Sequence, residues 1–273
     1  MKFIAIIPAR FASTRFPGKP LALLGGMTVI ERVYKQVIGN VDEAIVATDN
    51  DDIAQEVNRF GGKAVMTRTD HKSGTDRCFE AYTKFGKQFD VIINVQGDEP
   101  FIQTEQILAI KQCFDDDDVK IATLVKPFTR NDGFKAIDNT NSPKVVLNDN
   151  MEAVYFSRAI IPFVRGVEPG EEWFDKANFY KHIGIYAYKP ETLEKITQLK
   201  QSSLEIAESL EQLRWIQNGY RIKVGITNIE TIAAIIIFSQ IVLNNNCSFN
   251  HSIYRLIARI GKRAELRKNA NAY

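Results

Sequence analysis

The sequence predicts an α/β protein: a mostly parallel sheet with helices on both faces, plus an antiparallel insertion. Three observations predict it. Apolar runs such as residues 3–7 and 89–95 have the character of strands buried on both faces. Up to about residue 125 they alternate with amphipathic helical patterns, the rhythm of parallel strands joined by crossover helices. Beyond about residue 140 that rhythm gives way to a turn-linked strand pair and a long aromatic strand, which mark the insertion.

In chain order, the first strand stops at Pro8, which cannot donate to a sheet ladder. A loop follows with three cations, Arg10, Arg15 and Lys19, beside Ser13 and Thr14, and Pro17-Gly18-Lys19-Pro20 stiffens its end. Residues 28–38 carry Val29, Ile30, Val33 and Val37 on one helical face. Residues 43–48 form a second strand, and the cap-rich stretch 49–52 opens a helix over 53–60 that Gly61 and Gly62 end. A short strand over 63–66 and the polar stretch 71–77 lead into a helix over 76–85. The strand at 89–95 ends in Gln96-Gly97-Asp98-Glu99-Pro100, before a helix over 104–114 and a strand over 120–125.

In the second half, strands over 142–147 and 153–157 flank Asn148-Asp149-Asn150 as a hairpin. Residues 166–177, charged and bearing Pro169-Gly170, read as a mobile excursion. An aromatic strand spans 179–188, helices span 191–197 and 204–218, and Gly219 ends the latter at its C′ position before a strand over 220–226. With no internal repeat and no linker, residues 1–232 read as one domain whose insertion (about 140–188) covers the open end of the sheet. Residues 233–273 form an atypical tail.

A net charge of +2 gives no indication of a nucleic-acid or membrane partner. Cys78, Cys113 and Cys247 lack metal spacing, and with no signal peptide they point to the reducing cytoplasm. No apolar run reaches the roughly 18–20 residues of a membrane helix.

Loops at the carboxyl ends of parallel strands are where open α/β sheets bind ligands, and three fixed cations there ask for a polyanion such as a nucleoside triphosphate. No GxxxxGK[ST] string occurs, so charge rather than a glycine nest must hold the phosphates. Asp98 either caps a turn or holds Mg²⁺ against phosphate oxygens; the cationic loop at the same sheet edge favours the metal. Ser73, Gly74 and Thr75 either cap a helix or present backbone N–H groups to a base or oxyanion. His182 sits mid-strand among Tyr and Ile, where a core histidine is the commoner outcome. Glu205, Glu208, Glu211 and Gln212 fall close in helical phase, either as a solvated face or as acceptors for a hydroxyl-rich substrate.

Five ordered stretches, IPARFASTRFPGKPL, HKSGTDR, VQGDEPFI, KHIGIYAY and SLEQLR, resemble the 3-deoxy-manno-octulosonate (KDO) cytidylyltransferases from residue 1 to about 231. The resemblance implies a nucleotidyltransferase, Rossmann-like fold and transfer of CMP from CTP to the 2-hydroxyl of KDO. It also implies Mg²⁺, a cytoplasmic homodimer and a role in lipopolysaccharide biosynthesis. On it, Ala9, Arg10, Ser13, Thr14, Arg15 and Lys19 meet the triphosphate, and Ser73 and Gly74 lie near the cytosine. Asp98 binds Mg²⁺, while Arg77, Gln96, His182, Glu211 and Gln212 hold KDO. Arg10, Lys19 and Asp98 carry catalysis. A CMP-sialic acid synthetase or another sugar nucleotidyltransferase is the alternative within enzymes, and a catalytically weak nucleotide- or sugar-acid-binding protein the alternative outside them.

The family pattern breaks after Ile232. A second metal carboxylate is expected there, yet Ile235 occupies its place, and residues 233–273 hold one acidic residue, Glu265, against six basic ones. A change of reading frame near the end of the coding sequence accounts for this better than a divergent tail. Weaker metal binding and reduced turnover are the expected consequences.

Overall fold

The computed structural model describes residues 1–11 and 18–229, within a compact unit, Met1–Thr231. Ser13, Thr14, Arg15 and the tail lie outside the described residues. The first half runs β1 (Phe3–Ala9), the ribbon β2 (Leu23–Leu24) and β3 (Met27–Thr28), α1 (Val29–Ile38), β4 (Glu43–Thr48), α2 (Asp51–Arg59), β5 (Ala64–Met66), α3 (Gly74–Phe85), β6 (Val91–Asn94), α4 (Thr104–Gln112) and β7 (Ile121–Pro127). The second half adds α5 (Phe134–Ile137), β8 (Lys144–Leu147), β9 (Ala153–Ser157), β10 (Tyr180–Tyr188), α6 (Pro190–Thr197), α7 (Ser203–Glu208), α8 (Gln212–Gln217) and β11 (Lys223–Ile226).

Among the described residues the main sheet has nine strands, in the order β11-β7-β10-β6-β1-β4-β5, with β8 paired to β10 and β9 to β8. β1 lies inside it, parallel to both neighbours, β4 and β6. Its alternation sorts the two cores. Phe3, Ala5, Ile7 and Ala9 pack with α1, α2 and α4 on one face. Ile4 and Ile6 pack with α3, α6 and α8 on the other. Helix starts follow local chemistry: the side chains of Thr28, Asn50 and Ser73 accept from Glu31, Ile53 and Asp76 backbone N–H groups.

Three expectations change. β10 does not cover the sheet; it enters it between β6 and β7, antiparallel to both. The reason is its apolar content on both faces, with Ile183, Ile185 and Ala187 in one core and Tyr186 and Tyr188 in the other. The excursion over 166–177 is anchored, because Trp173 is buried in a 3₁₀ turn against Phe134, Phe163 and Phe179. The helix expected over 204–218 is two helices, broken at Ser209 with φ 50°. Tertiary contacts make the break. Glu208 accepts from Ser157 Oγ (2.6 Å) and the Arg158 N–H (2.8 Å), and its carbonyl accepts from Arg158 Nε (2.7 Å). The shared helical face of the carboxylates therefore does not form: Glu205 turns to a two-bond ion pair with Arg214, at 2.7 and 2.8 Å.

Candidate active site

The site lies where β1 and β6 end. Beyond β1, the Gly18 N–H donates to the Phe11 carbonyl (3.0 Å), closing the loop whose residues 12–17 are outside the description. Gly18 has φ 70°, and a Cβ there would press on the Phe11 ring at 3.3 Å. Pro20 follows in a 3₁₀ turn that buries Lys19. Lys19 Nζ lies 2.6 Å from Asp98 Oδ2, the lysine side chain 7% and the aspartate side chain 45% exposed. Beyond β6, Gly97 lets the strand-end turn pass close to β1, since a Cβ there would sit 2.6 Å from the Pro8 carbonyl oxygen.

One cleft of about 120 Å³ brings together six residues the sequence singled out: Ala9, Arg10, Ser73, Gly74, Arg77 and Gln96. Arg10 is exposed at its rim, whereas Ala9 is buried. Ser73 does cap α3, its hydroxyl accepting from the Asp76 N–H at 3.1 Å, and the helix amino terminus thereby faces the cleft. The loop before it is pinned by Glu80, which pairs with His71 and Lys84 and accepts from the Arg68 N–H. Burial pushes the Glu80 carboxyl up, but the Lys84, His71 and Arg68 hydrogen bonds outweigh it and bring it down to about 2. Arg77, expected to meet the acid sugar, has its charge matched inside the chain by Asp49 (2.7 Å), with Thr67 Oγ1 at 2.5 Å. A guanidinium buried to this degree needs such partners, and these make Arg77 a brace between α3 and the end of β4.

His182, Glu211 and Gln212 converge on the α3–α8 face. Thr123 Oγ1 donates to the Ile185 carbonyl (2.8 Å), so at 3.1 Å it accepts from His182 Nε2–H. The imidazole thereby keeps Nδ1 as its lone-pair nitrogen. Burial lowers the His182 pKa to about 3, and the ring packs on Phe156 and Tyr186 at centroid distances of 5.0 and 5.3 Å. Glu211 accepts from Thr75 Oγ1 at 2.9 Å. Asn94 Oδ1, Gln212 Nε2 and Trp215 Nε1 are buried without a hydrogen-bond partner among the described residues, while the buried Tyr186 and Tyr188 hydroxyls have Thr123 and Thr75 beside them. Buried polar atoms are nearly always paired, so the first three are groups with hydrogen-bonding capacity left to use.

Sequence reasoning missed Asn94, Thr123, Tyr186 and Tyr188. For the tyrosines a signal existed, because alternation along β10 puts both on the face that carries His182. For Asn94 and Thr123 there was none; they matter through pairing with Tyr186 across β6–β10 and β7–β10.

Among the described residues no three His, Cys, Asp or Glu side chains form a metal cluster. Asp98 alone, half exposed on a turn that closes on a cation, fits Mg²⁺, which takes one or two carboxylates and completes its shell with phosphate and water oxygens. No helix among the described residues is long and apolar enough to cross a membrane.

Arg10, Gln96 and the capped start of α3 line one cleft at the ends of β1 and β6, strand ends that the Lys19–Asp98 pair also joins; this is the sheet edge where α/β proteins bind ligands, and the comparisons give the class. Residues 4–224 match the cytidylyltransferase family model. A 3-deoxy-manno-octulosonate cytidylyltransferase of Bacteroides thetaiotaomicron is 63% identical over 232 residues, 85% of this chain and 92% of that protein. Its counterpart from Phocaeicola vulgatus is 64% identical with the same coverage. The structure of a CMP:2-keto-3-deoxy-manno-octonic acid synthetase complexed with CTP superposes with a TM-score of 0.79 at 37% identity, covering 88% of this chain and 97% of that one. The chain belongs to the 3-deoxy-manno-octulosonate cytidylyltransferase family, and is a nucleotidyltransferase.

Proposed function

We propose that this enzyme transfers CMP from CTP to the 2-hydroxyl of 3-deoxy-D-manno-octulosonate. The acceptor hydroxyl loses its proton to solvent as its oxygen bonds the α-phosphorus, the bond to the bridging α–β oxygen breaks, and diphosphate leaves with that electron pair. The observation that carries the reading is that the Lys19–Asp98 pair joins the ends of β1 and β6, the same strand ends whose Arg10 and Gln96 line a cleft with Ser73 and Gly74.

In-line attack builds charge on phosphate oxygens, so the chain's task is to place groups and neutralise charge. Lys19 and Arg10 hold the triphosphate, and Ser73 and Gly74 face the cytosine. Gln96, His182, Glu211 and Gln212 receive the acid sugar. Asp98 holds Mg²⁺, which when bound lowers the pKa of the attacking hydroxyl and offsets phosphate charge. The absence of a second carboxylate at Ile235, outside the described residues, makes metal binding weak in this reading. We further place the enzyme in the cytoplasm, as a homodimer supplying activated sugar for lipopolysaccharide. Support for these comes from family membership and composition.

A substrate panel tests the reading. With CTP and Mg²⁺, KDO releases diphosphate, while sialic acid and sugar 1-phosphates do not. Turnover of either of the latter in preference to KDO would replace the acceptor, and CTP binding without diphosphate release from any acceptor would make the chain a binding protein.

A further inference from the structure

Thr75 has no assigned part in the reaction, yet its position is unusual. It is the second residue of α3, immediately after the Ser73–Gly74 pair that borders the nucleotide cleft. Its side chain is buried, and its hydroxyl donates at 2.9 Å to the carboxylate of Glu211, 136 residues away at the start of α8. Two other polar groups meet that carboxylate: the Ser73 side chain, which also hydrogen-bonds it, and Arg214 Nη2, 3.7 Å from Oε1. That guanidinium is already engaged by Glu205. The Thr75 hydroxyl, at 2.9 Å, is thus a short contact that orients the Glu211 carboxylate, with Ser73 from the same helix start as its second donor. Gln212 Nε2 is buried without a hydrogen-bond partner among the described residues, and the buried Tyr188 hydroxyl lies beside Thr75.

We propose that Thr75 is a positioning residue for the acceptor. It aims Glu211 at the sugar hydroxyls and ties the helix that faces the nucleotide to the helix that faces the sugar acid. The proposal rests on the reading of the acceptor site given above.

The charge environment of Glu211 supports it. Burial raises the carboxyl, the Thr75 and Ser73 hydrogen bonds and Arg214 lower it, and Asp76 raises it. Cys78 on α3 and Tyr186 and Tyr188 on β10 also face it. Without the threonine donor the acid form gains, and a protonated Glu211 is a poorer acceptor for sugar hydroxyls.

Thr75→Val keeps the volume and removes the donor; Thr75→Ser keeps the donor. With KDO varied at saturating CTP, the valine variant raises the KM for KDO about tenfold, the cost of one unmet buried partner. The KM for CTP stays within about twofold, and the acid limb of kcat/KM for KDO moves upward by up to about one pH unit. The serine variant returns the KM for KDO to within about twofold of the parent. In a Glu211→Gln background, Thr75→Val adds less than about twofold, because coupled neighbours are not additive. A parallel rise in both KM values, failure of serine to rescue, or full additivity with Glu211→Gln overturns the proposal. Parent enzyme that does not use KDO at all defeats the acceptor reading instead, so the two failures are distinguishable.

Discussion

Lys19 Nζ sits 2.6 Å from Asp98 Oδ2, joining residues 79 apart in sequence across the ends of β1 and β6. The lysine is almost fully buried while the aspartate is open on one side, so the cation is fixed by the fold and the anion remains accessible. On the proposed function, a triphosphate entering here would meet an ammonium whose position the fold has already set. Lys19→Met keeps much of the side-chain length and removes the charge. It raises the KM for CTP by about tenfold or more, the scale of a lost charge-assisted hydrogen bond. Steady-state kinetics with CTP varied check this, and unchanged CTP parameters would discard the role.

Gly97 fixes the height of Asp98. Gly97→Ala places a methyl 2.6 Å from the Pro8 carbonyl oxygen, and backbone cannot yield there as a flexible side chain would. The turn shifts, and a displacement near 1 Å at the reacting centre costs up to about 100-fold in turnover. Thermal melting alongside kcat separates the two effects: activity falls far more than stability.

His182 acts as a neutral group. Burial holds its pKa at about 3, so the ring does not protonate between pH 5 and 9. Its imidazole resonances in a histidine-resolved NMR titration stay flat over that range, and the pH profile of kcat carries no limb from it. The folded pKa lies below that of an exposed histidine. Its neutral form therefore contributes stability that is present above about pH 6.5 and is lost as pH falls towards 3.

Glu80 pins the loop that leads into the cleft. Its carboxyl is depressed to about 2, burial being outweighed by hydrogen bonds from Lys84, His71 and Arg68. Its contribution to stability is thus complete above the ordinary carboxyl pKa near 4.3 and declines as pH drops from there towards 2. Urea midpoints measured from pH 7 to pH 2.5 fall more steeply below pH 4.5 for the parent than for Glu80→Gln. Superimposable curves would contradict the assignment.

Local chemistry was legible in the sequence. The caps at Asn50 and Ser73 and the turn at Asn148–Asn150 each depend on a few adjacent residues, and each is found, whereas β1 does not stop at Pro8 but runs through it to Ala9, in register with Ala47 and Thr48 of β4. The site's two halves were legible too, because strand ends converge on one sheet edge wherever the connecting helices alternate. What was hidden depends on distant partners. The break at Ser209 is imposed by Ser157 and Arg158, about fifty residues earlier. The central place of β10 follows from which strands lie beside it, which periodicity along β10 does not encode. The inward turn of Arg77 needs Asp49, which from the sequence alone is a cap residue for the following helix.

The central claim is that Asp98 serves bond-making at the nucleotide's α-phosphorus rather than the fold. Diphosphate release from CTP and KDO by Asp98→Asn, beside the parent and with CTP binding measured on both, tests it most directly. The account predicts native melting, CTP bound within about tenfold of the parent, and turnover lower by at least about 100-fold. An asparagine variant that releases diphosphate at close to the parental rate would contradict it.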